Sequence, residues 1–301
     1  MKEPDFLKPD DRIAVVAPAG KVVREKVEAG ISLLRQVGFA VVEGQNLYGS
    51  CHSFSGTDDE RLSDLQLAFD DPSVKAILFA RGGYGTTRLL ERLDFSRFAQ
   101  NPKWIVGFSD ITALHNVCAS LGIPSVHAPM AASYADDNGR PTRDFLILTD
   151  TLKGQNVNYQ VPPQPENRSG VAISQLAGGN MALIYSLMGT KYDLETDGKI
   201  LFIEDVGEYL YQIDRTMASL RLSGKLAKLT GIVIGHFSDL KDNAEPFGMS
   251  LREIVLHATR GYDFPVCFGF PAGHEAPNYP IVLGRRYRLE VSAEGVILEK
   301  A

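Results

Sequence analysis

Three groups of residues in this chain have types and spacing that could do chemistry. In Val106-Gly107-Phe108-Ser109-Asp110 an apolar, strand-like run ends at a hydroxyl where a helical pattern begins. A serine at such a turn faces the top of a sheet, and the N–H groups of the helix start behind it can stabilise a developing oxyanion. The placement resembles a nucleophile elbow, although Ile111 stands where G-x-S-x-G has its second glycine. The plainer reading is that Ser109 or Asp110 caps the helix, because both residue types are preferred there. Local pattern alone favours the cap. The second group, Arg81-Gly82-Gly83-Tyr84-Gly85, follows another strand pattern. Its glycines let the backbone approach a ligand or turn N–H groups into a site. It is no Walker loop, lacking Gly-Lys-Ser/Thr, and no dinucleotide fingerprint, because Arg88 occupies the third glycine position. An ordinary tight turn explains it equally well. An oxyanion hole, however, needs a second donor, and this loop lies one strand away from Ser109 in sequence order.

The third group is scattered. His52, His115, His127, His236, His257 and His274 show no metal-ligand spacing, and His274-Glu275 lacks the second histidine of H-E-x-x-H. His274 differs in context: it ends the Gly/Pro loop Gly269-Phe270-Pro271-Ala272-Gly273-His274, where functional groups tend to be displayed. Glu204 ends the strand-like run 199–203, a carboxylate at the lip of a buried strand; its alternative is to cap the next helix, which Asp205 could do instead. In chain order Ser109, Glu204 and His274 would make a Ser–His–Glu triad. The hydroxyl is weak until an imidazole takes its proton, and the carboxylate holds that imidazole's tautomer and charge. Whether the three converge depends on the fold.

Elements that would position them alternate in the first half. Strand patterns at 12–17, 39–42, 76–80 and 104–108 alternate with helical ones. Val27, Ile31 and Leu34 recur at helical spacing until Gly38; Thr57 and Glu60 make a capping box ahead of Leu62, Leu65 and Phe69. Helices are expected over 86–93 and 110–121. This alternation predicts an α/β fold with a parallel sheet and a ligand site at the strands' carboxyl ends. It stops near Pro129. The stretch 134–169, with four prolines, reads as a linker, dividing the chain into 1–135, a linker over 136–169, and 170–301. The last part holds strand patterns near 199–203 and 231–234 and a terminal hairpin over 287–299 turning at Ala293-Glu294-Gly295. One short echo occurs: Phe108-Ser109-Asp110 recurs as Phe237-Ser238-Asp239.

Composition excludes several classes. The 301 residues are 44% hydrophobic, enough for a buried core, and carry 31 basic against 37 acidic side chains. A net charge of −6 without basic runs argues against nucleic acid as a partner. Cys51, Cys118 and Cys267 form neither a disulfide framework nor a thiolate metal site. No signal-peptide core and no ~20-residue apolar span is present, so a reducing, cytoplasmic setting without membrane partners is expected.

Taken together, Arg81-Gly82-Gly83-Tyr84-Gly85, Gly107-Phe108-Ser109-Asp110, Leu176-Ala177-Gly178-Gly179-Asn180, Ile203-Glu204-Asp205-Val206-Gly207-Glu208 and Gly273-His274 resemble the LD-carboxypeptidase family of serine peptidases. The likeness spans nearly the whole chain, in order. One departure is Ile281-Val282, where the family often has Leu-Pro after Asn278. The resemblance implies a Rossmann-like α/β N-terminal domain and a smaller β-rich C-terminal domain, with the triad assembled between them. It further implies Ser109 as nucleophile, His274 as general base and Glu204 as its orienter, which makes Ser238 structural. The oxyanion hole would use N–H groups of Asp110 and the Gly82-Gly83 turn, and Arg81 and Tyr84 would contact substrate. No metal or organic cofactor is implied. The implied reaction releases terminal D-Ala from murein tetrapeptides, in the cytoplasm and by a homodimer. Two alternatives carry less weight. A related branch confers immunity to microcin C by cleaving a nucleotide-bearing toxin with a Trp in the loop before the Glu; here Trp104 is the only Trp and none lies between Gly179 and Glu204. A non-catalytic two-domain peptide-binding protein gives no reason for the apparent triad.

Overall fold

The structure, a computed structural model, describes residues 2–301. Two compact units are present. One runs to Asn156 and takes in Tyr279–Val282; the other comprises Val157–Asn278 and Leu283–Ala301.

The first unit contains β1 (Arg12–Val16), α1 (Arg24–Gln36), β2 (Ala40–Glu43), α2 (Asp58–Asp70), β3 (Val74–Phe79), α3 (Ser96–Gln100), β4 (Trp104–Gly107), α4 (Thr112–Ser120), β5 (Ser125–His127) and α5 (Arg143–Leu152). β1 to β5 pair in parallel in the order β5-β4-β3-β1-β2. Parallel strands joined by helices are covered on both faces, so they read as continuous apolar runs. The runs 13–16 and 76–79 are accordingly buried throughout. α1 lays Val27, Ile31 and Leu34 into this core, and the Thr57/Glu60 capping box opens α2 as its spacing predicts. Strand order reverses between β1 and β3, and the loops leaving these two strands meet there: the Gly20 N–H donates to the Gly82 carbonyl at 3.1 Å. Such a switch point is where open α/β sheets hold ligands.

Two expectations need correction. The helix over 86–93 is only one 3₁₀ turn, Thr86–Arg88. Its first N–H is taken by Asp110 Oδ2 at 2.8 Å, Arg88 is drawn to Asp58, and the β-branched Thr86-Thr87 pair favours helix weakly. The stretch 136–169 is folded rather than a linker. Thr142 caps α5, whose Phe145, Leu148 and Leu152 join the core of the first unit, and β6 (Tyr159–Val161) belongs to the second. The polar, proline-rich composition of 134–169 masks this apolar spacing.

The second unit continues with β7 (Gly170–Asn180), α6 (Met181–Ser186), β8 (Ile200–Val206), α7 (Leu210–Leu222), β9 (Gly231–Ser238), α8 (Leu251–Ala258) and β10 (Val266–Cys267). β11 (Ile281–Leu283) instead edges the first unit's sheet beside β5. The hairpin β12 (Arg286–Val291) and β13 (Val296–Lys300) closes the chain where the turn signal placed it. The sheet order is β10-β9-β8-β7-β12-β13-β6, parallel from β10 to β7 and antiparallel beyond. β8 is central to the parallel half, and its Ile-Leu-Phe-Ile-Glu-Asp run is buried throughout. Two buried carboxylates near the end of one strand mark a site, because carboxylates are almost never fully buried unless they are paired.

Candidate active site

In the first unit Ser109 follows β4 through the extended Phe108 and opens the 3₁₀ turn Ser109–Ile111 ahead of α4. Its φ is 61°, a left-handed conformation that costs a non-glycine residue about 1–3 kcal/mol and recurs at functional sites. Ser109 therefore does not sit as an extended N-cap: that position is Phe108 for the 3₁₀ turn and Ile111 for α4, neither with a side-chain cap. Gly82 lies directly against it: a Cβ on Gly82 would come within 3.1 Å of Ser109 Cβ and 3.2 Å of its Oγ. Gly83 and Gly85, at φ 117° and 140°, turn the same loop through conformations that L side chains rarely adopt. Asp110 is fully buried, and its Oδ2 accepts the Thr86 N–H at 2.8 Å. Burial raises the pKa of this carboxyl, opposed by the bonds from Thr86 and Gly85. Arg81 and Tyr84 flank the glycines: Arg81 Nη1 donates to the Lys21 carbonyl at 2.9 Å, and the exposed Tyr84 ring sits 6.1 Å from Phe54.

Buried polar residues hold this frame. The Arg61 guanidinium donates to the Pro18 carbonyl after β1, to the Gly56 carbonyl and to Asp58. A Cβ on Gly85 would lie 2.6 Å from its Nη1, so Arg61 supports the glycine loop from below. His115 on α4 spans β4 and β5, its Nε2 donating to the Gly107 carbonyl and its Nδ1 accepting from Ser125 Oγ, both at 2.8 Å. Burial lowers its pKa to about 4, so the ring is neutral and fixes the residue two before Ser109.

In the second unit Glu204 and His274 are paired. The His274 Nδ1–H donates to Glu204 Oε2 at 2.7 Å; the carboxylate is wholly buried and the imidazole is 17% exposed. Burial disfavours the imidazolium, but the Glu204 hydrogen bond and the charges of Glu204 and Asp205 outweigh it and raise the His274 pKa. Nδ1 being so committed, Nε2 is the nitrogen that can take and return a proton. Close backbone approach makes room for the pair: a Cβ on Gly235 would lie 2.4 Å from the Ala272 carbonyl, and one on Gly273 3.0 Å from Glu204 Oε2. Asp205 accepts from Asn180 Nδ2 and from the N–H groups of Ala182 and Val206, each at 2.9 Å. Burial nevertheless raises its pKa to about 6. The motif Leu176-Ala177-Gly178-Gly179-Asn180 thus serves this carboxylate, and Gly178, whose Cβ would strike the Phe202 carbonyl at 1.8 Å, brings β7 against β8.

Ser238, the serine of the echo, ends β9 with its side chain buried, opposite Val206. Among the described residues no group of three or more His, Cys, Asp or Glu side chains could hold a metal ion, and no helix is long and apolar enough to cross a membrane.

The LD-carboxypeptidase N-terminal domain family matches residues 13–128, and the C-terminal domain family matches residues 174–289. The chain belongs to the LD-carboxypeptidase family. The chain is 32% identical to a Bacillus subtilis protein named "Probable murein peptide carboxypeptidase", over 99% of its length and 94% of that relative. It is 30% identical to the murein tetrapeptide carboxypeptidase of Pseudomonas aeruginosa, over 93% and 94%. The muramoyltetrapeptide carboxypeptidase of Oxalobacter formigenes superposes with a TM-score of 0.85 at 29% identity, covering 96% of this chain and 98% of that one. The microcin C7 self immunity protein MccF shares the fold, with a TM-score of 0.85 at 21% identity over 99% and 98%.

Of the residues expected from sequence, the structure brings Glu204 to His274 and Gly82 to Ser109. Arg61 is not among the residues the sequence singles out, and His115 and His236 stand there only as histidines without ligand spacing. For Arg61 no signal existed, because a lone arginine on an amphipathic helix reads as surface. His115 had one: it stands on the apolar face formed by Ile111, Leu114 and Cys118.

Proposed function

We propose that this LD-carboxypeptidase is a serine enzyme that releases terminal D-Ala from murein tetrapeptides. The observation that carries the reading is the buried Glu204 carboxylate bonded to His274 Nδ1 at 2.7 Å, which prepares Nε2 as a base. The left-handed Ser109 against a glycine loop supports it, as do the relatives named for murein peptides.

In the proposed reaction His274 Nε2 takes the Ser109 hydroxyl proton while Oγ attacks the carbonyl between the L-configured centre of diaminopimelate and D-Ala. The N–H groups of Asp110 and the Gly82-Gly83 turn receive the oxyanion; removing one such donor typically costs 10²–10³ in turnover. His274 returns the proton to the amine of D-Ala, which leaves. Water, deprotonated by the same imidazole, then hydrolyses the acyl-enzyme and regenerates Ser109. Glu204 holds the tautomer and stabilises the transient imidazolium. Arg81, which retains N–H donors beyond the one given to Lys21, would take the substrate carboxylate, with Tyr84 beside it. The three free cysteines fit a cytoplasmic recycling role, exercised as a homodimer.

Incubating purified muropeptide tetrapeptides with the enzyme and with Ser109→Ala, and reading the products by mass spectrometry, tests this. Loss of one alanine with the wild type alone is expected. Equal release by the serine variant, or turnover of a peptidyl-adenylate analogue in preference to tetrapeptide, overturns it.

A further inference from the structure

We infer that His236 is a positioning residue that fixes the loop carrying His274; the inference rests on the reading of His274 as general base. The cause lies in the β8–β9 ladder. Ile203 stands opposite Ile234, but Asp205 stands opposite Phe237, so β9 spends one extra residue beside Glu204. This is a β-bulge, the irregularity that re-aims groups next to active sites. Its residues are Gly235, which admits the Ala272 carbonyl and Glu204 side by side, and His236.

His236 uses the freedom the bulge supplies. Its backbone N–H donates to the Ala272 carbonyl at 2.8 Å, and its ring Nε2 bonds the Pro277 carbonyl at 3.0 Å. A carbonyl only accepts, so Nε2 carries the proton. One residue therefore grips the loop on both sides of His274, two residues before it and three after. Inward movement is blocked as well: a Cβ on Gly273 would meet Glu204 Oε2 and His236 Cβ, each at 3.0 Å, and the Gly273 N–H is held by Asn278 Oδ1 at 3.0 Å. The neighbouring charge facing the ring is Glu275, whose Oε2 lies 3.9 Å from Nδ1. The ring's task is to hold the imidazole of His274 within reach of Glu204, because a displacement of about 1 Å in a catalytic group can cost about 10²-fold in rate.

The side-chain half of the grip can be removed while the backbone half stays. Glutamine places an amide nitrogen where Nε2 lies; asparagine reaches only as far as Nδ1; leucine has no donor. His236→Leu and His236→Asn are expected to lower kcat for D-Ala release roughly 10- to 100-fold with KM little changed. His236→Gln is expected to restore most of the rate. In parallel, the downfield proton resonance of His274 Nδ1–H should broaden or vanish in His236→Leu and persist in His236→Gln. Should His236→Leu fail to fold, the contrast between the asparagine and glutamine variants decides alone. Wild-type kcat and an unchanged resonance in the asparagine or leucine variant, or a glutamine variant as impaired as they are, overturns the inference. His274→Ala separates the two readings: if it retains activity, the function reading falls, while the His274 Nδ1–H resonance, followed in the His236 variants, still reports on His236.

Discussion

Phe108-Ser109-Asp110 and Phe237-Ser238-Asp239 are the same tripeptide at strand ends in the two sheets, yet they are built differently. β4 ends before the phenylalanine, so Ser109 leaves the sheet at φ 61° and a helical turn starts on it. β9, lengthened by its bulge, runs through the serine; Ser238 stays in the ladder with a buried side chain, and the left-handed conformation falls on Asp239, at 49°. The aspartates diverge too. Asp110 is buried and accepts the Thr86 N–H, whereas Asp239 is exposed. What separates the two copies is the relation between strand end and helix start, since the residues themselves are identical.

The sharpest way to break this comparison is to truncate both hydroxyls. Ser109→Ala should lower kcat for D-Ala release by about 10⁴ or more, and Ser238→Ala should leave it unchanged. Comparable losses from both, measured by alanine release, would erase the distinction. Next in size is the partner of the base. Glu204→Gln should lower kcat on the order of 10⁴-fold, the scale seen when an orienting carboxylate is made neutral in other triads. It also shifts the pH profile. The raised pKa of His274 places the acid limb of kcat/KM above pH 6.5, because only the neutral imidazole accepts a proton. Without the Glu204 charge the effect of burial dominates, so the limb should move to lower pH. The sign for stability follows from the same shift: the pair stabilises the fold fully below pH 6.5, and that contribution fades as pH rises past the elevated value. Thermal melts across pH should show the Glu204→Gln deficit shrinking upward.

A smaller effect tests the loop against Ser109. Gly82→Ala inserts a methyl 3.1 Å from Ser109 Cβ, and a rate loss of roughly 10- to 100-fold with little change in melting is expected. The smallest concerns strain. Ser109→Gly should abolish activity yet raise stability by about 1 kcal/mol, since glycine adopts this φ freely. Ser238→Gly should instead lose about 0.5–1 kcal/mol, as glycine does in a strand interior. Denaturant unfolding that ranks them the other way would place the strain elsewhere.

Much of this architecture was legible. The 3.6-residue spacing of Val27, Ile31 and Leu34, the Thr57/Glu60 box and the continuous apolar runs each report local physics, and each element formed where it was expected. The Glu204–His274 pair was legible because a carboxylate at the end of a buried strand and a histidine in a Gly/Pro loop are both locally odd. The helix over 86–93 lost to the hydrogen bond from the Thr86 N–H to Asp110, 24 residues away, whereas the linker reading of 136–169 failed locally, its prolines masking the spacing of Phe145, Leu148 and Leu152. The mixed pairing of the second sheet depends on β12 returning to β7. The bulge at Gly235-His236 exists only as a slip between two strands, so no window of sequence contains it.

The chain's route has a practical consequence. Because Tyr279–Val282 returns to the first unit and β11 lies along β5, no single cut separates the halves cleanly. A fragment ending at Asn156 would lose the strand that covers β5 and expose a bare sheet edge, an invitation to aggregate. Supplying the later segment as a separate peptide, rather than shortening the gene, is the route by which such a half would be kept in solution.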